Sequence, residues 1–525
     1  MQRIAHSVGA VGGRRRLTTR FIAAAAGVSL AATMAACSAP TDPGQQPSDD
    51  PATVSTLVYG AIGGANDTAQ PYLSDLSTMS VAIQNQLYEG LTRLGTDGAV
   101  EMALAESLEP NDTLDVWTVH LRPNVKKHDG TPFTSDDALW SLDYILDPAN
   151  AYSAAAELAF VDPAGLKKID DLTFEIHLNK PYGPFAATLA SFRLPMAGKG
   201  ASADNPIGTG PFKLESADST GQRYELTRFD DYWDQKPGFE HLTMVAFNDQ
   251  AALVNALRGG QVDVVGAVPF TEVKALEATP GLDVLVSENA QKVFLSFRVD
   301  LPPFDDVRVR EAMRLIVDRQ QMVDVAFGGF ASIANDINGN NTSCPPPDVP
   351  QRKQDIAKAK QLLADAGVSD LTVEISTDNG FSGMMEMIQV FAQNAADAGV
   401  TVIPNQLDTA TFLNKWTEWP AVASVAQNIY FAIPTRYYLA GGGNNTSHWA
   451  DPEYAEIAAK LYATADPDEQ CEYITELQRI EYERGGDVIP VYPQAITVHS
   501  EKVKGLQQDL YNRSSYRFNG VTIES

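Results

Sequence analysis

Cationic side chains are scarce in this 525-residue chain: 39 Lys and Arg stand against 67 Asp and Glu, a formal charge of -28. So acidic a protein repels a phosphate backbone, whose binding draws its affinity from cationic contacts, and it offers anionic lipid no polybasic surface. A nucleic-acid partner is therefore not expected. Cysteine is scarcer still, with three residues, Cys37, Cys344 and Cys471. There is no Cys-x-x-Cys pair, no His-Glu-x-x-His among the seven scattered histidines, and no Gly-x-Ser-x-Gly. Neither a zinc site nor a common serine hydrolase is signalled, and the reading assigns no metal, no cofactor and no catalytic residue. Beyond residue 36 no run reaches about 18 consecutive apolar residues, the length a spanning helix needs. What is left is ordinary globular composition, 44% hydrophobic and 20% charged, on a chain long enough for roughly two to four domains.

The few cations are unevenly placed. Arg3, Arg14, Arg15, Arg16 and Arg20 lie in the first 36 residues, which hold no acid. An apolar run from Phe21 to Ala36 follows, broken by Gly27, Ser29 and Thr33. This is the layout of a secretory signal and too short for a membrane span. It ends in Met34-Ala35-Ala36-Cys37, which resembles a bacterial lipobox with Met where Leu is preferred. The resemblance implies that residues 1–36 are a lipoprotein signal peptide and that Cys37 is the lipidated first residue of the exported chain. The general secretory route is preferred to the twin-arginine route, and an uncleaved single-pass anchor is the weaker alternative. Residues 37–52, rich in Pro, Ser and Asp, read as a flexible tether. With Cys37 lipidated, Cys344 and Cys471 remain as a candidate disulfide in an oxidising setting, the alternative being two buried thiols.

From Thr53 onward, strand and helix signals alternate. Trp117 to Leu121 and Phe174 to Leu178 alternate apolar and polar residues, each as a half-buried strand. Thr243 to Phe247, a helix capped by Asn248 and stopped at Gly259-Gly260, and Val262 to Val265 form one strand–helix–strand unit. Leu371 to Ile375, a helix from Met384 to Ala398, and Val400 to Ile403 form a second. Two such units far apart imply two α/β lobes, joined near Val293 to Pro303. Asp305-Asp306 opens a further helix, and Asp355 to Gly367 spans another whose apolar stripe is a core face.

Four runs carry a family resemblance. They are Leu87-Tyr88-Glu89-Gly90-Leu91-Thr92-Arg93-Leu94; Trp117 to Leu121 with Lys127-His128-Asp129-Gly130-Thr131-Pro132-Phe133; Pro206 to Leu214 with Asp231-Tyr232-Trp233; and Pro303 to Arg310 with Ile489-Pro490-Val491-Tyr492. In order and spacing they resemble the extracytoplasmic solute-binding proteins of ABC importers, family 5, the peptide and nickel class. That resemblance implies an α/β fold of the type II-like periplasmic-binding-protein kind (class C), with two hinged lobes and an insertion domain. Residues 53–88, 198–296 and 488–525 would form lobe I, 89–197 the insertion domain, and 297–487 lobe II. Gly208-Thr209-Gly210 and His128-Asp129-Gly130 are expected to be turns, since the fingerprint of a phosphate cradle is incomplete.

In peptide-binding members of the family, an Asp within an Asp-x-x-x-Pro context pairs with the ligand's ammonium. Here Tyr430 holds that place before Pro434, and no acid lies between Glu418 and Asp451. An ammonium buried without a carboxylate costs several kcal/mol, so recognition of a free amine is not expected. Aromatic and amide side chains surround the position, and Trp416, Trp419, Gln427, Asn428, Tyr430, Arg436, Asn444 and His448 are the candidate ligand contacts, suited to stacking and neutral hydrogen bonding. Tyr437 and Tyr438 belong to the same stretch, and some of these aromatics must be core. The resemblance implies a monomeric, lipid-anchored, non-enzymatic binding protein on the outer face of the cell membrane. It would deliver an oligopeptide or similar small solute to an ABC permease. The same fold holding a sugar-like, aromatic or metal-chelate ligand, an exported hydrolase, and a sensor or adhesin without an importer are the readings left open.

Overall fold

The computed structural model describes residues 55–524, apart from 65, 73–76, 219–221, 289–290, 379 and 512–516. The leader, Cys37 and the 37–52 tether lie outside the described residues. The two alternating segments become antiparallel neighbours: Val116–Leu121 pairs with Thr173–Leu178 within a four-stranded sheet. Trp117, Val119 and Leu121 of one and Phe174, Ile176 and Leu178 of the other are buried, because side chains two apart share a face. The helix Ser135–Leu146 covers that face with Ala138, Leu142 and Ile145. Its first turn is held by Asp137, which accepts the Thr134 backbone N–H at 3.0 Å and the Lys127 ammonium at 2.7 Å.

The first strand–helix–strand unit builds a seven-stranded sheet. Thr56–Ile62 runs at its centre, parallel to His241–Phe247 on one side and to Val264–Gly266 on the other. The helix between them, Gln250–Arg258, is capped by Asp249 and not by Asn248: the Asp249 carboxylate accepts the Ala252 N–H at 2.8 Å. The strand ends at Phe247, as expected, and the extended cap conformation falls on Asp249, one residue beyond Asn248. The second unit builds a five-stranded sheet in the order Thr401–Leu407, Thr372–Asp378, Ala421–Gln427, Gln291–Phe297, Asp487–Val488. The helices Val307–Ile316 and Met384–Asp397 bury Met313, Ile316, Ile388 and Phe391 against it. Asp306 caps the first of these through the Arg308 N–H at 2.8 Å.

Both expected crossing points move. Gln291–Phe297 pairs along its whole length with Ala421–Gln427, so it belongs to the five-stranded sheet although the boundary was expected at 296/297. Val488 pairs with Leu295, and the chain rejoins the seven-stranded sheet at Ala495–Ser500. A run such as Val293–Phe297, buried on both faces, has no alternation to say which sheet it joins. Cys344 and Cys471 are joined, with Cα atoms 5.0 Å apart, tying the segment before Pro345 to the helix Pro467–Arg484. Among the described residues, no helix is long and apolar enough to cross a membrane.

Candidate functional site

Three of the four runs that carry the resemblance meet at one junction, and hydrogen bonds of buried polar groups explain why. The Glu89 carboxylate accepts from Thr209 Oγ1 at 2.8 Å, Trp233 Nε1 at 2.8 Å and Tyr232 Oη at 2.9 Å. Burial pushes its pKa up, against those three donors. His128 bridges the second and third runs: its Nε2 lies 3.0 Å from the Gly210 carbonyl, and its Nδ1 accepts the Gly208 N–H at 3.3 Å. Burial holds its pKa down at about 4, so the ring is neutral. His128-Asp129-Gly130 is a turn, as expected, with Gly130 at φ +84°. Gly208-Thr209-Gly210 is not. It is an irregular segment threaded past the Gln86 and Leu87 carbonyls, where a Cβ on either glycine would overlap backbone oxygen. These motifs are a scaffold that fastens residues 89–197 to the seven-stranded sheet.

A small pocket of about 70 Å³ opens beside this junction, with Tyr88, Glu89, Arg93, Phe192 and Tyr232 in its wall. None of the eight candidate ligand residues lines it.

Those eight residues fall into three settings. The Ala421–Gln427 strand delivers Gln427, whose backbone is paired with Gln291, to the end of the five-stranded sheet. Beyond it Asn428, Arg436 and Asn444 converge. Asn428 Nδ2 donates to Tyr437 Oη at 3.0 Å, Asn444 hydrogen-bonds the same phenol, and the Asn444 N–H donates to the Arg436 carbonyl at 2.9 Å. Arg436 Nη1 reaches Glu157 at 3.0 Å, and Glu157 also takes Arg193 at 3.3 Å. Two guanidiniums thus share one carboxylate, where the chain after the five-stranded sheet meets residues 153–194. Ile429 packs beside them on Leu94, Ala190 and Tyr511.

Trp416, Trp419 and His448 form a second group. The Trp416 ring stands edge-on to Phe412 at 5.4 Å, and Trp419 Nε1 donates to the Phe412 carbonyl at 3.0 Å. His448 Nε2 is 2.8 Å from the Thr417 carbonyl, and Nδ1 is 3.3 Å from Asp300. These contacts brace residues 415–420 against the end of the helix Thr409–Asn414.

Tyr430 stands apart from both groups. Its ring is 1% exposed, and its hydroxyl donates to Glu481 at 2.9 Å. Glu481, from the helix Pro467–Arg484, also accepts from Tyr454 Oη at 3.0 Å and from the Asn338 N–H and Nδ2 at 2.8 and 2.9 Å. The Tyr430 hydroxyl thus meets a carboxylate of the helix Pro467–Arg484 that accepts four donors in all. Burial pushes Glu481 up and Lys292 down. Lys292 lies 3.7 Å from Asp487 and 5.0 Å from the centres of the Phe294 and Tyr437 rings, so the buried charges offset one another.

Sequence reasoning did not single out Glu157, Arg193, Lys292 or Glu481. Glu481 had a usable signal: Ile474, Leu477 and Gln478 lie seven, four and three positions before it, which puts its carboxylate on the buried stripe. Arg193 interrupts Phe192 and Leu194 in an apolar run, a weaker mark.

Residues 99–448 match the family described as bacterial extracellular solute-binding proteins, family 5 Middle. The glutathione-binding protein GsiB of Salmonella typhimurium (strain LT2) is 26% identical over 490 residues, covering 87% of this chain and 92% of that protein. Among solved structures, DppA from Helicobacter pylori in complex with the peptide STSA aligns with a TM-score of 0.77 at 22% identity, over 90% of this chain and 98% of that one. The PBP AgaA in complex with agropinic acid, from A. tumefaciens R10, gives 0.75 at 24% identity, over 90% and 99%. The chain thus belongs to the family 5 extracellular solute-binding proteins of ABC importers, with their mixed α/β fold.

Proposed function

We propose that this chain is the lipid-anchored solute-binding component of an ABC importer, tethered through Cys37 to the outer face of the cell membrane, and that it hands a small carboxylate-bearing, peptide-like solute to the permease as a monomer. One lobe is the seven-stranded sheet with residues 89–197 fastened to it by Glu89 and His128. The other is built on the five-stranded sheet. The solute lies between them, against Asn428, Arg436 and Asn444 on one side and Arg193 on the other.

The observation that carries this reading is the pair of guanidiniums sharing the single carboxylate of Glu157. The cluster keeps a surplus positive charge, and a guanidinium fork binds a carboxylate with two parallel hydrogen bonds. No acid on the 419–450 stretch is present to receive an ammonium, and Glu481 is already saturated. Glutathione, a peptide and agropinic acid, the solutes named for the relatives, all carry carboxylates. Bound solute bridges both lobes and shifts the population towards the closed form, by no more than its differential affinity for the two states. No catalytic role is proposed.

Native mass spectrometry of protein purified without denaturation identifies what the cleft retains. Calorimetry with a tetrapeptide, its N-acetylated form and its C-terminal amide then tests the recognition. Acetylation is expected to leave affinity unchanged and amidation to abolish it. The opposite order would refute the reading.

A further inference from the structure

We propose that Gly183 and Tyr462 form a closing latch whose contacts do not include the solute. The inference rests on the two-lobe reading above and adds to it a contact that the solute does not touch. Gly183 belongs to the insertion attached to the seven-stranded sheet, and Tyr462 ends the helix Pro452–Tyr462 that packs beside the five-stranded sheet. The Gly183 N–H donates to the Tyr462 carbonyl at 2.8 Å. One residue earlier, the Tyr182 ring stacks on the Tyr462 ring, centroids 5.3 Å apart and planes 29° from parallel.

Glycine is required at 183 by the contact and not by the backbone. Its φ is not among the left-handed ones, yet a Cβ there would overlap the Thr464 carbonyl. If residues 462–464 swing away, the collision disappears and an alanine fits. Position 183 thus reports on closure alone.

Each half of the latch is stiffly backed. Tyr182 stacks on Phe160 at 4.1 Å, and its N–H donates to the Leu114 carbonyl at 2.9 Å. On the other side, Gln470 Nε2 donates to the Thr464 carbonyl at 2.9 Å. Tyr462 Oη donates to the Phe431 carbonyl at 2.8 Å. Phe431 lies within the segment that runs from Asn428 to Arg436, so engaging Tyr462 also steadies the backbone that presents those side chains. The latch closes the lobes at the insertion while the Arg436–Glu157–Arg193 cluster stays available for exchange with solute.

Small-angle scattering of the purified chain without added solute, for wild type, Gly183→Ala and Gly183→Val, tests this. Both variants are expected to expand to a larger radius of gyration, Val more than Ala, with thermal midpoints within about 2 °C of wild type. Curves of Gly183→Ala that superimpose on wild type overturn the latch, whatever Gly183→Val does. If the variants expand but native mass spectrometry finds no solute on any of the proteins, the latch stands and the solute reading falls. If wild type retains solute and neither variant expands, the latch falls alone.

Discussion

Acidification should weaken this fold through one imidazole. In the neutral ring of His128 the Nε2–H donates to Gly210 and the Nδ1 lone pair receives the Gly208 N–H. A second proton has to go on Nδ1, against an amide hydrogen, in a site packed edge-on to Phe229 at 5.2 Å. The folded-state pKa is accordingly held down at about 4, against 6.5 for the free side chain. Between those values the unfolded chain takes up a proton that the folded chain refuses. The stabilisation is therefore complete above about pH 6.5, declines as pH falls, and is gone below about pH 4. The shift corresponds to about 3 kcal/mol, reduced to about 2–3 kcal/mol because the residue keeps some contact with solvent. Carboxylates also titrate in this range, so the measurement is a difference. Denaturant unfolding of wild type and His128→Gln at several pH values between 7.5 and 4 isolates the histidine, since a glutamine amide preserves both hydrogen bonds without titrating. Wild type should lose about 2–3 kcal/mol more than the variant across the window. Parallel curves would refute the argument that His128 is neutral and buried between the two glycines.

Tyr430→Phe removes one of four donors to Glu481 and should cost about 1.5–3 kcal/mol of stability while leaving solute affinity unchanged; weakened binding at unchanged stability would return Tyr430 to the solute surface. Arg436→Ala should weaken binding of the co-purified solute by about 10- to 100-fold, and Glu157→Gln should tighten it by removing the competing anion; calorimetry showing both variants equal to wild type would dismiss the guanidinium pair as a solute site. The Cys344–Cys471 bond closes a loop spanning 127 positions, worth up to about 4–5 kcal/mol in the chain-entropy account. Cys344→Ser/Cys471→Ser should lower the thermal midpoint accordingly, and an unchanged midpoint on adding reductant would show the bond contributes nothing.

Much of the framework was readable residue by residue. The alternation in Trp117–Leu121 and Phe174–Leu178 appears directly as buried faces of one sheet, and the helix around Met384 to Ala398 begins and ends close to where its pattern does. Asp306 and Asp355 cap their helices. The cap at Asp249 and the membership of Gln291–Phe297 are not legible locally, for related reasons: neighbouring polar residues compete for a cap, and a strand buried on both faces carries no directional pattern. The stretch from Asn428 to Asn444 stands out by its composition, whereas Glu157 and Arg193, which Arg436 meets or neighbours, carry no such local mark.

Periodicity, caps and turns depend on atoms within a few positions of one another, so the order of residues alone determines them: an exported-looking leader, an acidic body, strand–helix–strand units and a segment without an ammonium acceptor. Tertiary structure decided what each polar side chain does. Arg436 meets Glu157 across 279 positions, and His128 meets Gly208 and Gly210 across 80 and 82. Tyr430 turns into the core because Glu481, 51 positions away, waits there with a buried charge. A buried charge must find its donors wherever the fold brings them, and no local spacing records that choice.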